Sequence, residues 1–299
     1  MNSEIKYSIG VDVGGTNVKA VAVTPEGKVL LSRDVPTKDD AEATWKHDTR
    51  ELIRAMESTL GRAADRVGVA CPGIVQSDGR SVWWMLGKME ATMGFEWAPY
   101  LGREKVVPVY NDAQAALLGE IAYGAAKGSK NVALLTLGTG VGGALMCDGH
   151  LLRGHLGRAG HLGHMSVDFD GPADLARTPG AIEFQIGNYS VAQRTEHRYH
   201  TTRDLVDAYK GGDASAAEIW LRSVKALAAH IVSIVNAVDS EIVIIGGGIA
   251  LSGDALFKPL ADFLDQFEWR PHDRRVKIVP TALGSEAGAL GAAYGASQA

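Results

Sequence analysis

The chain has 299 residues, 46% of them apolar and 22% charged, with a net charge of −5. That length favours two domains over a single core, and no stretch supplies the roughly 20 uncharged apolar residues of a membrane-spanning helix. Cys71 and Cys147 are the only cysteines, too few for a disulfide framework or a site built mainly of thiolates, and the start MNSEIKYSIG lacks the basic-then-apolar pattern of a secretory signal; a reducing cytoplasm is the expected setting. The acidic balance argues against nucleic acid as a partner, since the basic cluster at 270–277 is diluted by Pro271 and Asp273.

Residues 7–13 and 18–24 are apolar runs on either side of a glycine turn and predict two strands, and Pro25-Glu26-Gly27 turns the chain into a third at 29–35. Residues 41–62 carry Leu52, Ile53, Met56 and Leu60 at helical spacing. A short strand at 67–70 ends in Cys71-Pro72-Gly73. Another at 106–110 leads through Asn111-Asp112 into a helix over 113–126, which Asp112 is placed to cap. Strands follow at 131–137 and 142–147, with Asp148-Gly149 as a hairpin turn. Residues 150–186 are weakly periodic and predict an irregular, functional stretch. Helices at 191–199, 202–210, 214–238, 254–267 and 286–295, with strands at 241–245 and 276–279, complete the chain.

An internal repeat organises these elements. VDVGGTNVKAVAVTPEGKVL at 11–30 and LTLGTGVGGALMCDGHLL at 135–152 share one grammar. Each has an apolar strand, a polar residue (Asp12 or Thr136), a Gly/Thr turn, a second strand and a turn ending in glycine. Two such units predict two similar subdomains.

A phosphate chain needs backbone N–H donors at close range, and Gly14, Gly15, Gly138, Gly140 and Gly142 allow that approach because they lack a Cβ. Thr16 and Thr139 add hydroxyl donors. Neither turn is a P-loop, and neither is a dinucleotide fingerprint, because each opens a strand rather than a helix. Asp12 ends a hydrophobic strand where a carboxylate packs poorly but is well placed to hold hydrated Mg²⁺ beside phosphates; the plainer alternative is a turn-stabilising aspartate. Asp112 is either a helix cap or a general base for an attacking hydroxyl. Gly246-Gly247-Gly248 reads as an open platform for a base or ribose, or as a flexible turn.

In this order and spacing, the features resemble the sugar kinase, hsp70 and actin superfamily, and within it the ROK family (repressors, open reading frames and kinases). The resemblance rests on Asp12-Val13-Gly14-Gly15-Thr16-Asn17-Val18-Lys19, Asn111-Asp112-Ala113-Gln114-Ala115-Ala116, Leu137-Gly138-Thr139-Gly140-Val141-Gly142-Gly143, Ile245-Gly246-Gly247-Gly248 and the turn Pro72-Gly73. It implies an α/β, two-lobed actin-like ATPase (ribonuclease H-like) fold made of duplicated domains with a nucleotide cleft between them. The expected N-terminal lobe is 1–112, completed by a C-terminal helix at 285–299, and the C-terminal lobe is 113–284 with a dimerisation surface. The resemblance also implies ATP with Mg²⁺ near Asp12, Asn17 and Lys19 within the phosphate motif, Asn111 and Pro72-Gly73 at the substrate, Asp112 as catalytic base and a homodimer.

The substrate half of the pattern departs from the family. Family sugar kinases carry E-x-G-H, whose Glu and His hold sugar hydroxyls, where this chain has His161-Leu162-Gly163-His164. The family's C-x-C-G-x-x-G-C-x-E, whose cysteines join the His in binding structural zinc, aligns with Asp174, Ala176 and Ala181 at the cysteine positions, while Gly180 and Glu183 remain; no structural zinc is expected. A family Asn that binds hexose is missing from Ser81-Val82-Trp83-Trp84-Met85-Leu86, where Trp84 is placed to cover a sugar face or to fill the core. An imidazole at 161 accepts one hydrogen bond where a carboxylate accepts more. These losses argue against ordinary glucose as the preferred acceptor, unless they are compensated elsewhere. Arg153, His155 and Arg158 are surface charges or a site for an anionic group.

The leading expectation is an ATP-dependent kinase for a sugar or sugar-like polyol. A catalytically silent ligand-binding or regulatory protein is the first alternative, and a glucokinase using polyphosphate is the second, suggested by the segment 134–140 and the missing cysteines. A repressor of this family would carry a helix-turn-helix before the first strand, which here begins near Tyr7.

Overall fold

The computed structural model describes residues 5–85 and 87–299. The start of the chain read above and Leu86 of the tryptophan segment lie outside the described residues. The first half runs β1 (Ser8–Val13), β2 (Asn17–Val23), β3 (Val29–Pro36), α1 (Thr44–Leu60), β4 (Arg66–Cys71), β5 (Ile74–Val75), β6 (Val82–Trp84), α2 (Trp97–Tyr100), β7 (Val109–Asn111) and α3 (Asp112–Tyr123). The second half runs β8 (Val132–Leu137), β9 (Val141–Cys147), β10 (His150–Leu151), α4 (Ile182–Ile186), α5 (Val191–Arg194), α6 (Thr202–Lys210), α7 (Ala214–Val238), β11 (Ile242–Gly246), α8 (Asp254–Phe267), β12 (Lys277–Pro280) and α9 (Ala287–Ser297).

Two five-stranded sheets carry these elements, in the orders β3-β2-β1-β4-β7 and β10-β9-β8-β11-β12. In each, three consecutive antiparallel strands are extended by two parallel ones. The sequence repeat is therefore a repeat of topology, with β1 and β8 at the centre of their sheets. A central strand buries both faces, and β1 and β8 are accordingly buried along their length except at Asp12 and Thr136, which hold the same place in each.

The chain divides into two compact units, one of Met1–Gly128, Arg153–Ala159 and Ala282–Ala299, the other of Ser129–Leu152 and Gly160–Thr281. The expected lobe boundary after residue 112 is displaced, because α3 stays with the first unit. Its reason is packing on α9. A Cβ on Gly291 would collide with the Ala115 carbonyl and the Gly119 amide, so the two helix backbones meet where neither carries a side chain. Glu120 of α3, fully buried, then secures the approach to α9: its Oε1 accepts from the amides of Ala282 (2.9 Å) and Leu283 (3.0 Å), and Oε2 from Ala125 (2.7 Å). Replacing Gly291 with Val forces backbone apart from backbone, and we expect a loss of about 1–3 kcal/mol or more, read as a lower thermal midpoint with the fold's circular dichroism retained. An unchanged midpoint would show that the helices do not meet there.

In the first unit Ile9, Val11 and Val13 of β1 pack with Trp45, Ile53 and Met56 of α1. In the second, α7 buries Trp220, Val224, Leu227 and Ile231 at spacings of three and four, the period of one helix face. By length and composition alone α7 is apolar enough to cross a bilayer, but that face belongs to the unit's own core, where Trp220 Nε1 donates to the Ala255 carbonyl at 2.8 Å. The helix expected at 191–199 ends instead at Arg194. Thr195 Oγ1 accepts from the Tyr199 amide at 3.1 Å, and Glu196 and His197 take positive φ, which a continuing helix forbids.

Candidate active site

In the first unit three parallel strands end side by side. The register pairs Asp12 with Ala70, Ala70 with Tyr110 and Cys71 with Asn111. Asp12, Cys71 and Asn111-Asp112 therefore share the carboxyl edge of the sheet, the edge where open α/β sheets take ligands. Alternation along β1 sends Ile9, Val11 and Val13 into the core and Asp12 to the face covered by α9, where Gly288 leaves room for its carboxylate. Lys19 is the direct cross-strand partner of Asp12 and reaches Ser285 Oγ at 2.8 Å.

These neighbours set the protonation chemistry. Burial, then the nearby Asp112 carboxylate, push the Asp12 pKa up to about 7 against the opposing pull of Lys19. Water reaches Asp112, yet the surrounding protein replaces much of its solvent, and this desolvation raises its pKa against hydrogen bonds from Ala113 and Asn111. Burial and both aspartates push the Cys71 thiol up, which keeps it protonated and removes it as a nucleophile.

The expectation that Asp112 caps α3 is corrected. Asn111 is the cap: its Oδ1 accepts from the Ala113 amide at 3.0 Å, while Gln114 Oε1 accepts from the Asn111 amide at 3.3 Å. Asp112 is the first helical residue, and Asp112 Oδ1 accepts from Ala113 N at 2.8 Å. The same Asn111 donates from Nδ2 to the Gly73 carbonyl at 3.0 Å, so the Pro72-Gly73 turn is tied to the residue beside Asp112. Gly73 has φ +101° with Trp84 and Val82 against it, a place for glycine alone.

The Gly14-Gly15-Thr16-Asn17 turn is closed by Gly14 N donating to the Asn17 carbonyl at 3.1 Å, and Thr37 grips it from outside, donating to the Gly14 and Thr16 carbonyls. Gly15 has neither a positive φ nor any atom within 4 Å of a would-be Cβ. Nothing inside the protein requires glycine there.

The second unit repeats the arrangement. Thr136 on β8 is in register with Gly246 of β11 and Gly142 of β9, the place Asp12 holds in the first sheet. The Gly138-Thr139-Gly140 turn is held by Gly138 N to the Gly140 carbonyl (2.9 Å) and by the amides of Asn188 and Tyr189, which donate to the Gly138 and Thr139 carbonyls at 3.0 Å each. Of the glycine triplet, Gly247 is required by φ +87° and by Leu137 backbone against it, whereas Gly248 faces open space. Beside Gly248 lies a cavity of about 210 Å³ lined by Thr202, Arg203, Val206, Asp207 and Lys210 of α6 with Ile249, Leu251 and Ser252.

Glu183, on α4, is nine-tenths buried, and its Oε2 accepts from the Val141 amide at 3.1 Å. It braces the second glycine turn, a role the sequence did not signal. His161 precedes and His164 ends a short 3-10 turn, Leu162–His164, packed on β9 through Gly163. Imidazole Nδ1 of His164 meets Asp174 Oδ2 at 2.7 Å. Trp83 Nε1 donates to the Leu156 carbonyl at 2.7 Å, and both tryptophans of the β5–β6 hairpin are open, Trp83 at 41% and Trp84 at 46% exposure. Arg153 is no freely solvated charge: its guanidinium lies over the Tyr110 ring at 5.1 Å, and burial lowers its pKa.

A family model described as ROK family matches residues 8–299. The chain belongs to the ROK family. It is 30% identical over 307 residues to a glucokinase of Thermotoga maritima, covering 95% of each chain. A ROK hexokinase from Thermus thermophilus matches at a TM-score of 0.84 and 28% identity, over 98% of both chains. A ROK family glucokinase from Streptomyces griseus, solved with glucose and AMPPNP, matches at 0.74 and 25% identity, over 98% of this chain and 100% of that one. The fold is the two-domain, actin-like ATPase fold of these sugar kinases, as the motifs implied.

Proposed function

We propose that this chain transfers the terminal phosphoryl group of ATP to a hydroxyl of a sugar or sugar-like polyol, with Asp112 as general base. The chain is a carbohydrate kinase of the ROK family; the acceptor, the base and the donor are the parts proposed here. The observation that carries the reading is the shared carboxyl edge of β1, β4 and β7, which sets Asp12 and Asp112 within electrostatic reach of each other.

Each part has a physical assignment. The open turns at Gly15 and Gly138 present backbone where no side chain of the protein needs the space, which suits phosphate oxygens. Asp12 is the carboxylate to hold Mg²⁺ through its water shell, and that ion supplies charge neutralisation at the phosphates. Lys19, across from Asp12, adds positive charge. The cavity beside Gly248 is of a size and place for the base of a nucleotide; this favours ATP over polyphosphate, which has no base to house. Asp112 takes the proton of the attacking hydroxyl, and its raised pKa brings it nearer the strength a general base needs around neutral pH. In the first unit Trp84 offers an apolar surface suited to a sugar face, and in the second His161 and His164 offer hydrogen-bonding groups suited to hydroxyls.

The imidazole at 161 in place of a carboxylate points away from glucose as the best acceptor. A coupled ADP-release screen over hexoses, N-acyl amino sugars, inositols and sugar acids, with ATP and polyphosphate compared as donors, tests the whole reading. We expect turnover with ATP on at least one member of the panel. Silence across the panel would favour the regulatory alternative, and a preference for polyphosphate would move the donor assignment.

A further inference from the structure

The family resemblance brings with it a structural zinc bound by a histidine and three cysteines, and the residues in this chain do not fit that ion. Ala176 and Ala181 stand at two of the thiolate positions, while Cys71 ends β4 of the first unit and Cys147 ends β9. His164, Asp174 and Glu183 do bring one donor atom each within 4.8 Å of one another. One oxygen of each carboxylate already serves a backbone amide. Asp174 Oδ1 accepts from the Thr178 amide at 2.8 Å, and Glu183 Oε2 from the Val141 amide at 3.1 Å. Two ligands on one tetrahedral zinc, each at about 2.0–2.2 Å from it, stand about 3.3 Å apart. His164 Nδ1 and Asp174 Oδ2 are 2.7 Å apart, the distance of a charge-assisted hydrogen bond with no room for an ion between its partners.

We propose that Asp174 replaces the metal: a direct hydrogen bond to His164 Nδ1 closes the loop that zinc would close, and makes Asp174 a positioning residue for that imidazole. The segment between the Leu162–His164 turn and α4 has no helix or ladder of its own. Its other ties are backbone bonds and isolated bridges, among them those pairing Ser166 with Ala181 and Ala173 with Pro179 and the amides of Val167, Asp174, Gly180 and Ile182 donating to the Gly180, Thr178, Pro172 and Met165 carbonyls. The Asp174 side chain is wholly buried while that of His164 is 41% exposed, so the pair is anchored at its acidic end and open at its imidazole end. A carboxylate only accepts, so Nδ1 is the nitrogen that donates to Asp174, and in the neutral imidazole Nε2 is then the acceptor. That nitrogen then accepts a hydrogen bond from a substrate hydroxyl. The orienting role rests on the sugar-kinase reading above; the metal-free crosslink does not.

Two sets of measurements on the full-length protein test the idea. Elemental analysis by plasma mass spectrometry should find far less than one zinc per chain, and the thermal midpoint should not move with EDTA. Stoichiometric zinc, or a midpoint that falls on chelation, overturns the proposal in favour of a metal bound by His164, Asp174 and Glu183. Asp174→Ala should lower the midpoint by several degrees and raise the sugar KM roughly tenfold, a loss typical of one oriented hydrogen bond, with a smaller change in kcat. Asp174→Asn keeps an acceptor for Nδ1–H and should recover most of the KM. If the folded Asp174→Ala variant keeps the wild-type KM, Asp174 does not position the imidazole. A protein inert to every sugar removes the orienting role with the kinase reading, while the metal and stability results still decide the crosslink.

Discussion

Replacing Asp112 with Asn should lower kcat by roughly 10²–10⁴-fold, the usual worth of a positioned general base, and leave the fold intact. The second half of that expectation follows from the capping geometry. Asn111 and Gln114, not Asp112, form the capping box of α3, so the start of the helix does not depend on the Asp112 charge. The substitution also keeps an oxygen for the Ala113 amide. What it removes is the group able to accept the hydroxyl proton. The pH dependence has a definite sign. Asp112 acts when ionised, and desolvation by the surrounding protein raises its pKa, so activity should be lost as pH falls through a value above the ordinary aspartate range of about 3.9. The variant's residual rate should lack that limb. Coupled ADP release at saturating sugar, measured from acid to neutral pH, reads both. A variant within tenfold of wild type would remove Asp112 as the base.

Asp12→Asn should do two opposite things: cut turnover by about 100-fold or more, by removing the charge that holds Mg²⁺, and stabilise the unliganded protein above neutral pH. The folded-state pKa is raised from 3.8 to about 7, so folding keeps a proton on Asp12 that the unfolded chain releases. That contribution is fully present below about pH 4 and lost as pH rises through about 7. Above that, the wild type carries an ionised carboxylate whose burial is unfavourable, and the neutral amide does not. The gap implied by the shift is at most about 4 kcal/mol, and about 1–2 kcal/mol is a fair expectation for a side chain that keeps some contact with water. Thermal midpoints should therefore coincide near pH 4 and separate in favour of Asp12→Asn by pH 8. Adding Mg²⁺ with ATP should stabilise the wild type alone and narrow the gap. A variant less stable than wild type at pH 8 would mean that Asp12 is a structural turn residue.

The two experiments differ in what they isolate. Asp112 is tested through rate, with stability as the control. Asp12 is tested through stability as well, because its neighbours Asp112 and Lys19 act on it in the absence of any substrate.

Signals that act over a few residues were legible in the sequence. Alternation and apolar runs placed β1, β2, β8 and β9 to within a residue or so, and the Gly/Thr turns between them marked a repeat that the two sheets reproduce strand for strand. The motif residues Asp12, Asn111, Asp112, Thr136 and Gly246 could be named because strand ends and glycine turns are local features. The parallel register then brought them to common edges. The joints were less legible: a cap at Asp112 was one of two open readings whereas Asn111 is the cap, and the helix after Val191 is shorter than its pattern predicts because nothing local announces the positive φ of Glu196 and His197.

The residues by themselves carried the internal repeat, and their resemblance to the ROK family carried the motif order and the loss of the thiolates at 174, 176 and 181. Only the tertiary structure decided what stands in their place and which unit each helix serves. The assignment of α3 to the first unit rests on the close approach at Gly291 and on Glu120, whose partners at Ala282 and Leu283 lie 162 and 163 residues away. Glu183 braces the second glycine turn across 42 residues, and Asp174 reaches His164 from within a segment with no period of its own. The physical reason is common to all of them. Each is a polar group whose partner is fixed by packing, and a buried carboxylate leaves no trace in local propensity until the fold brings its donors to it.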